Sequence, residues 1–425
     1  MDEILQSIER FNFWTKQDFH AGFSRPLYLD KISKYLNNSL VKVLVGQRRS
    51  GKSYILRQIA EQLIHSGVPP QNTLFINKEF LEFDAIQNYK DLNQLIRAYK
   101  TKFKPKGKVY LFMDEIQNIA QWERLVNSYA QDFSESYELF ISGSNSSMLS
   151  GELSTLLSGR YITFEIFPFS YTEYVNVLKL ERGKSSFIAY LQSGGLPELM
   201  HLPDEETKRH YVSAVKDTVL LRDIIQRYAI KDPKLLEDIF IYLINTSSNL
   251  LSINNISKYF KSQGRNTSFD TIANYIRYLQ DSFLVHRVER FDIRGKETIA
   301  GNAKYYSNDQ AYRNYLFSGY SHGTGYQLET IIYLELKRQG FEVYAGVLPQ
   351  KEVDFVARKA DRVLYVQCAY LLAEESTVQR EYSALNAISD HYEKWVLSLD
   401  DITFPVQNGI RHLQAWEFDT KLGLG

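Results

Sequence analysis

Cysteine is almost missing from this sequence. Cys368 stands alone in 425 residues, which excludes internal disulfides and any cysteine-rich zinc site. Net charge is missing as well. Fifty Lys and Arg offset fifty Asp and Glu, so no global field draws the chain to nucleic acid or a membrane, and only local patches could do so. No run of about 18 apolar residues occurs, so no membrane-spanning helix is expected. The start, Met1-Asp2-Glu3-Ile4, lacks the basic stretch and long apolar segment of a signal peptide. These absences predict a soluble, cytoplasmic protein with no membrane among its partners. What is present suits a folded chain of two or three domains, 44% apolar and 24% charged.

One stretch organises the rest. Val43-Leu44-Val45 is an apolar strand candidate that runs into Gly46-Gln47-Arg48-Arg49-Ser50-Gly51-Lys52-Ser53-Tyr54. Gly46 and Gly51-Lys52-Ser53 match the nucleotide triphosphate loop. Its glycines let successive backbone N–H groups face phosphate oxygens, Lys52 adds positive charge at the β- and γ-phosphates, and Ser53 offers a hydroxyl to Mg²⁺. Ile55, Leu56, Ile59, Ala60 and Leu63 then recur at helical spacing, so a helix N-terminus points at the same anion.

Further strands are expected at Thr73 to Asn77, Lys108 to Met113 and Tyr137 to Ile141. The middle one ends in Asp114-Glu115, two carboxylates where ligands collect in an open α/β sheet. Asp114 is the candidate Mg²⁺ ligand and Glu115 the candidate base for the attacking water. Ser142-Gly143-Ser144-Asn145 follows the last strand and reads equally as a γ-phosphate probe or a helix cap. Arg160 reads as a residue reaching a nucleotide in the same or a neighbouring subunit, or as a solvated surface charge. Gly194-Gly195-Leu196-Pro197 is a tight turn between helices.

Beyond residue 205 the pattern is helical. Helices around Ile253 to Phe260 and Ile272 to Leu279 are followed by the alternating stretch Phe283 to Val288, a winged-helix order. Lys258, Lys261, Arg265, Arg277, Arg287, Arg290, Arg294 and Lys296 lie in or beside it. They suit phosphate contacts with double-stranded DNA, or simply solvate a packing module. A Gly-rich segment, Gly319 to Gly325, precedes a helix. Strands near Phe341, Glu352 and Val363, a helix near Thr377 and a strand near Lys394 make a small α/β domain.

The loop with Gln47-Arg48-Arg49, the run Asp114-Glu115-Ile116-Gln117-Asn118, Ser142 to Asn145, Ser158-Gly159-Arg160 and Phe167-Pro168-Phe169-Ser170 together resemble the AAA-type ATPases of bacteria and archaea, with a C-terminal domain similar to restriction endonucleases. The resemblance implies an α/β fold: a P-loop NTPase parallel sheet over 1–170, a helical and winged-helix region over 171–300, and a small restriction-endonuclease-like α/β domain over 301–425. It implies ATP and Mg²⁺ as cofactors, with Lys52 and Ser53 on phosphate and metal, Asp114 on Mg²⁺ and Glu115 on water. It adds Asn145 or Ser144 as a γ-phosphate sensor, Arg160 as an arginine acting in trans, and the Gly194-Gly195 turn on the adenine side. The expected function is a Mg-dependent ATPase used as a switch on a nucleic-acid or protein partner, or within a homo-oligomer. The alternatives are a DNA-binding module gated by ATP and a scaffold that binds nucleotide without hydrolysis. In the last domain Glu329, Asp354 and Gln367 fall at metal-ligand positions, but Ala369 stands where the motif has lysine. A degenerate nuclease is expected, and cleavage would need a lysine from elsewhere, such as Lys351.

Overall fold

A computed structural model describes residues 5, 8–9, 11–14, 21–149, 156–157, 159–265, 267–317 and 324–423. Ser158 and Gly319 to Gly323, both singled out above, lie outside them. The chain divides into two units, Met1–Ile166 and Phe167–Gly425.

In the first unit β1 (Val41–Val45), β2 (Thr73–Asn77), β3 (Val109–Asp114), β4 (Tyr137–Gly143) and β5 (Tyr161–Glu165) form a parallel sheet in the order β2-β3-β4-β1-β5. Every residue of β1, β2 and β3 is buried, as helices on both faces of a parallel sheet require. Those helices include α1 (Pro26–Ser33), α2 (Lys52–His65), α3 (Tyr89–Phe103) and α4 (Trp122–Ala130). Register aligns Phe75 with Phe112 and Phe112 with Phe140. Their rings stack across three strands, at centroid separations of 6.1 and 4.7 Å. Ile55, Leu56, Ile59 and Leu63 of α2 join the same core. This packing fixes α2, and with it the loop at its N-terminus. The edge strand β5 has no counterpart among the expected strands. Most of its residues are half-buried, whereas β1, β2 and β3 are buried throughout.

In the second unit α5 (Tyr171–Leu178), α6 (Lys184–Ser193), α7 (Glu205–Thr218), α8 (Pro233–Asn245), α9 (Ile253–Ser262) and α10 (Phe269–Asp281) precede a hairpin of β6 (Val285–Asp292) and β7 (Glu297–Ser307). Then come α11 (Gln310–Leu316), α12 (Thr324–Arg338), β8 (Glu342–Leu348), β9 (Lys351–Lys359), β10 (Arg362–Cys368), α13 (Glu375–Asn386), β11 (Glu393–Ser398), β12 (Ile410–Gln414) and α14 (Phe418–Leu422). Ser252 and Ser268 cap α9 and α10 through hydrogen bonds from Asn255 N–H and Thr271 N–H. The strand hairpin that follows this helix pair extends into a larger sheet. Arg290 to Asp292 pair in parallel with Ala345 to Val347, giving the order β12-β11-β10-β9-β8-β6-β7. The cause is that β6 carries apolar residues to two cores: Val288 packs with Phe355 and Leu364, and Phe291 with Val353 and Tyr365. Among the described residues no helix is long and apolar enough to cross a membrane.

The turn at Gly194-Gly195 is held inside this unit. Gly194 has φ +78, and a Cβ there would lie 2.1 Å from Asp309 Oδ1, while one on Gly195 would lie 2.3 Å from the Phe169 carbonyl oxygen. Asp309 accepts hydrogen bonds from Gly195 N–H at 2.9 Å and Ala311 N–H at 2.7 Å. Burial pushes its carboxyl up to about 7, against the pull of these N–H donors and of Arg338.

Candidate nucleotide site

The loop after β1 is built by its glycines. Gly46 has φ +145 and a Cβ there would strike the Ile166 carbonyl oxygen at 2.3 Å, while Gly51, at φ +97, turns the chain into α2. Gln47 and Ser50 are buried, Arg49 is exposed with φ +69, and Arg48 pairs with Glu79. Ser50 Oγ is buried with no hydrogen-bond partner. Lys52 is only 3% exposed. Its ammonium donates to the carbonyl oxygens of Gly46 at 2.9 Å and Gln47 at 3.0 Å, and lies 3.9 Å from Glu115 Oε1.

Asp114 and Glu115 close β3, and the end of β4 lies between them and the loop. Asp114 accepts from Asn77 Nδ2 at 2.9 Å and from the Ser142 hydroxyl, and the Ser53 hydroxyl lies near enough to favour its charged form. Burial pushes the Asp114 carboxyl up to about 6, the charge of Glu115 adds to the rise, and Ser142, Ser53 and Lys52 pull it back. Glu115 adopts the left-handed conformation, φ 53. Its side chain accepts from Gln117 Nε2 and, at 3.3 Å, from Ser144 Oγ. Gly143 makes room for this: a Cβ there would lie 2.6 Å from Gln117 Oε1. The corner therefore gathers one ammonium, two carboxylates, hydroxyls and a loop of backbone amides.

A sequence model of the family described as "AAA domain" matches residues 38–175. A Haemophilus influenzae protein named only as uncharacterized is 34% identical over 382 residues, covering 89% of this chain and 94% of the relative. The chain belongs to the AAA-domain family. An uncharacterized protein of Methanocaldococcus jannaschii is 30% identical over 390 residues, covering 86% of this chain and 81% of its own length. A second sequence model, of a domain of unknown function, matches residues 184–322. The solved Aeropyrum pernix ORC1 protein in complex with DNA is also similar, at 13% identity and a TM-score of 0.34, over 71% of this chain and 94% of that one. That likeness is loose, and the family assignment rests on the sequence model together with the sequence relatives.

The AAA domain is a nucleotide-binding P-loop fold, and the residues expected at its site fall in two groups. Gly46 to Ser53, Asp114, Glu115, Ser144 and Asn145 converge where β1, β3 and β4 end; Asn145 is fully buried there. Tyr54 is 48% exposed and its ring covers Gly22, where a Cβ would lie 2.5 Å from it. Arg160 stands apart. It is exposed, and its carbonyl oxygen accepts from Val41 N–H at 2.9 Å, at the start of β1. The loop follows the far end of β1, roughly 13 Å along the sheet. The same-subunit option for Arg160 is therefore disfavoured by the sheet itself.

Two contributors escaped sequence reasoning. Arg25 is 1% exposed and its guanidinium donates to the Ser50 carbonyl oxygen at 2.9 Å, bracing the loop from outside. Gln58 ties down the same lead-in segment through the carbonyl oxygens of Ala21 and Phe23. Neither contact leaves a local signature. The partner of Arg25 is distant in sequence, and Gln58 looks like an ordinary polar position on a helix.

Proposed function

We propose that the AAA domain binds and hydrolyses Mg²⁺–ATP and acts as a nucleotide-driven switch. The observation that carries this reading is the convergence of Lys52, Asp114 and Glu115 on the mouth of the glycine loop. The Lys52 ammonium is held by two neutral carbonyl oxygens, partners that a phosphate can outcompete. Ser53 and Asp114 are neighbouring hard oxygen donors, which fits Mg²⁺; once bound there, the ion would neutralise charge on the β- and γ-phosphates. Glu115 would orient the attacking water and accept its proton, with Gln117 and Ser144 fixing the carboxylate. Asn145 would sense the γ-phosphate. Arg160, at the opposite end of the sheet, would serve the nucleotide of a neighbouring copy, so turnover would require assembly.

Phosphate release from the full chain with Mg²⁺–ATP, beside Lys52→Ala and Glu115→Gln, tests this. Turnover in wild type and its loss in both variants supports the ATPase. Nucleotide binding without release at any protein concentration points instead to a scaffold. Duplex DNA is the partner proposed for the helix pair α9–α10, through the exposed Lys258, Lys261 and Arg277. Arg265 and Arg287 spend charge on Asp238 and Glu289, so the basic face is smaller than the sequence suggests. Stimulation of phosphate release by duplex DNA, lost steeply with salt, would identify this partner.

A further inference from the structure

The positions at which a restriction-endonuclease-like domain holds metal are Glu329 on α12, Asp354 on β9 and Gln367 on β10. They line a pocket of about 750 Å³, with Lys351, Tyr370 and Arg380 also in its wall. The donor set does not fit a divalent ion. Gln367 is neutral, and its Oε1 faces the N–H of Asp354 at 3.3 Å. Asp354 Oδ2 accepts from Cys368 N–H at 2.8 Å, and Glu329 Oε2 accepts from the Tyr306 hydroxyl at 3.1 Å. Among the described residues no three His, Cys, Asp or Glu side chains are grouped so as to hold a metal ion.

A cation is nevertheless built in. Lys304, on β7, is 2% exposed. Its ammonium lies 3.8 Å from Glu329 Oε2, 3.7 Å from Asp354 Oδ1 and 2.5 Å from Glu352 Oε1. It thus sits between the two carboxylates that a metal would bridge. Lys351, the lysine considered from sequence, points elsewhere: it donates to the Ser383 carbonyl oxygen at 2.9 Å. We propose that Lys304 is the resident cation of this pocket, a covalently tethered ammonium in the place of a divalent ion, so that the domain is metal-independent and does not cleave nucleic acid. An ammonium fixed among the carboxylates offsets part of their charge, and it blocks the approach of the several oxygen ligands that Mg²⁺ or Mn²⁺ requires.

The test is Mn²⁺ binding to the full chain without nucleotide, followed by the spectrum of the bound ion. Wild type and Asp354→Asn should bind equally, because the pocket takes none. Lys304→Met, which keeps the length and removes the charge, should gain about one equivalent of Mn²⁺, and the gain should vanish in Lys304→Met/Asp354→Asn. Binding by wild type that Asp354→Asn abolishes would overturn the proposal, as would Mn²⁺-dependent nicking of plasmid lost in the same variant. If Lys304→Met does not fold, the wild-type and Asp354→Asn comparison still decides.

Discussion

Lys52 and Lys304 both lie buried beside carboxylates at a site where chemistry was expected, and they are not equivalent. Lys52 touches loop carbonyl oxygens and stands 3.9 Å from one glutamate. Lys304 is enclosed by Glu329, Asp354 and Glu352. A buried ammonium held by neutral carbonyls is available to an incoming anion. One whose neighbours are already anionic is committed, because leaving would strand several buried charges. The lesson is that a lysine beside acids does not by itself mark a catalytic centre; what it would have to give up decides.

The sharpest way to break this comparison is to remove each lysine. Lys52→Ala should lower phosphate release by at least about a hundredfold, because its charge acts on the transition state. It should cost less stability than the loss of Lys304, since its hydrogen-bond partners are neutral carbonyl oxygens and its nearest carboxylate stands 3.9 Å away. Lys304→Met should do the reverse at the level of stability, costing roughly 3–5 kcal/mol in denaturant unfolding, the range for breaking a buried ion pair by removing one partner. Equal stability losses would erase the distinction. Glu115→Gln should retain ATP binding and lose about a hundredfold in turnover. Mixing it with Arg160→Ala should recover part of the activity, because each supplies what the other lacks across a subunit boundary. No recovery, with both variants shown to co-assemble, would return Arg160 to the surface.

A buried carboxylate elsewhere sharpens the comparison at smaller scale. Among the described residues no ammonium is in hydrogen-bonding contact with Asp309, which is held by backbone N–H groups, and burial lifts its carboxyl to about 7. The folded state therefore binds this proton more tightly than the unfolded state does. Its contribution to stability should fall as pH rises from about 4 to about 7 and level off above that. Unfolding midpoints at intervals across that range should show the decline, and Asp309→Asn should flatten that part of the profile.

Much of the AAA core was legible in sequence because each of its inner strands finishes in an apolar run that leads into the chemistry: Val43 to Val45 into the glycine loop, Val109 to Met113 into Asp114-Glu115, Leu139 to Ile141 into Ser142. Those signals are local. β5 was not legible, since an edge strand with half-buried residues reads as coil. Lys304 was not legible either. Its partners Glu329 and Asp354 lie on a later helix and strand, and only the pairing of β6 with β8 and the packing of α12 bring them together. The same holds for Arg25 and Ser50. Contacts made across elements, and between side chain and distant backbone, have no periodicity to betray them.

The hydrogen bond from Gly195 to Asp309 joins residues 114 apart in the chain. A ribosome adding about 5–20 residues per second needs on the order of ten seconds to cover that distance. Throughout that interval the two glycines have been made and the carboxylate that secures them has not. The nascent chain must carry α5 and α6 with an open turn until α11 emerges.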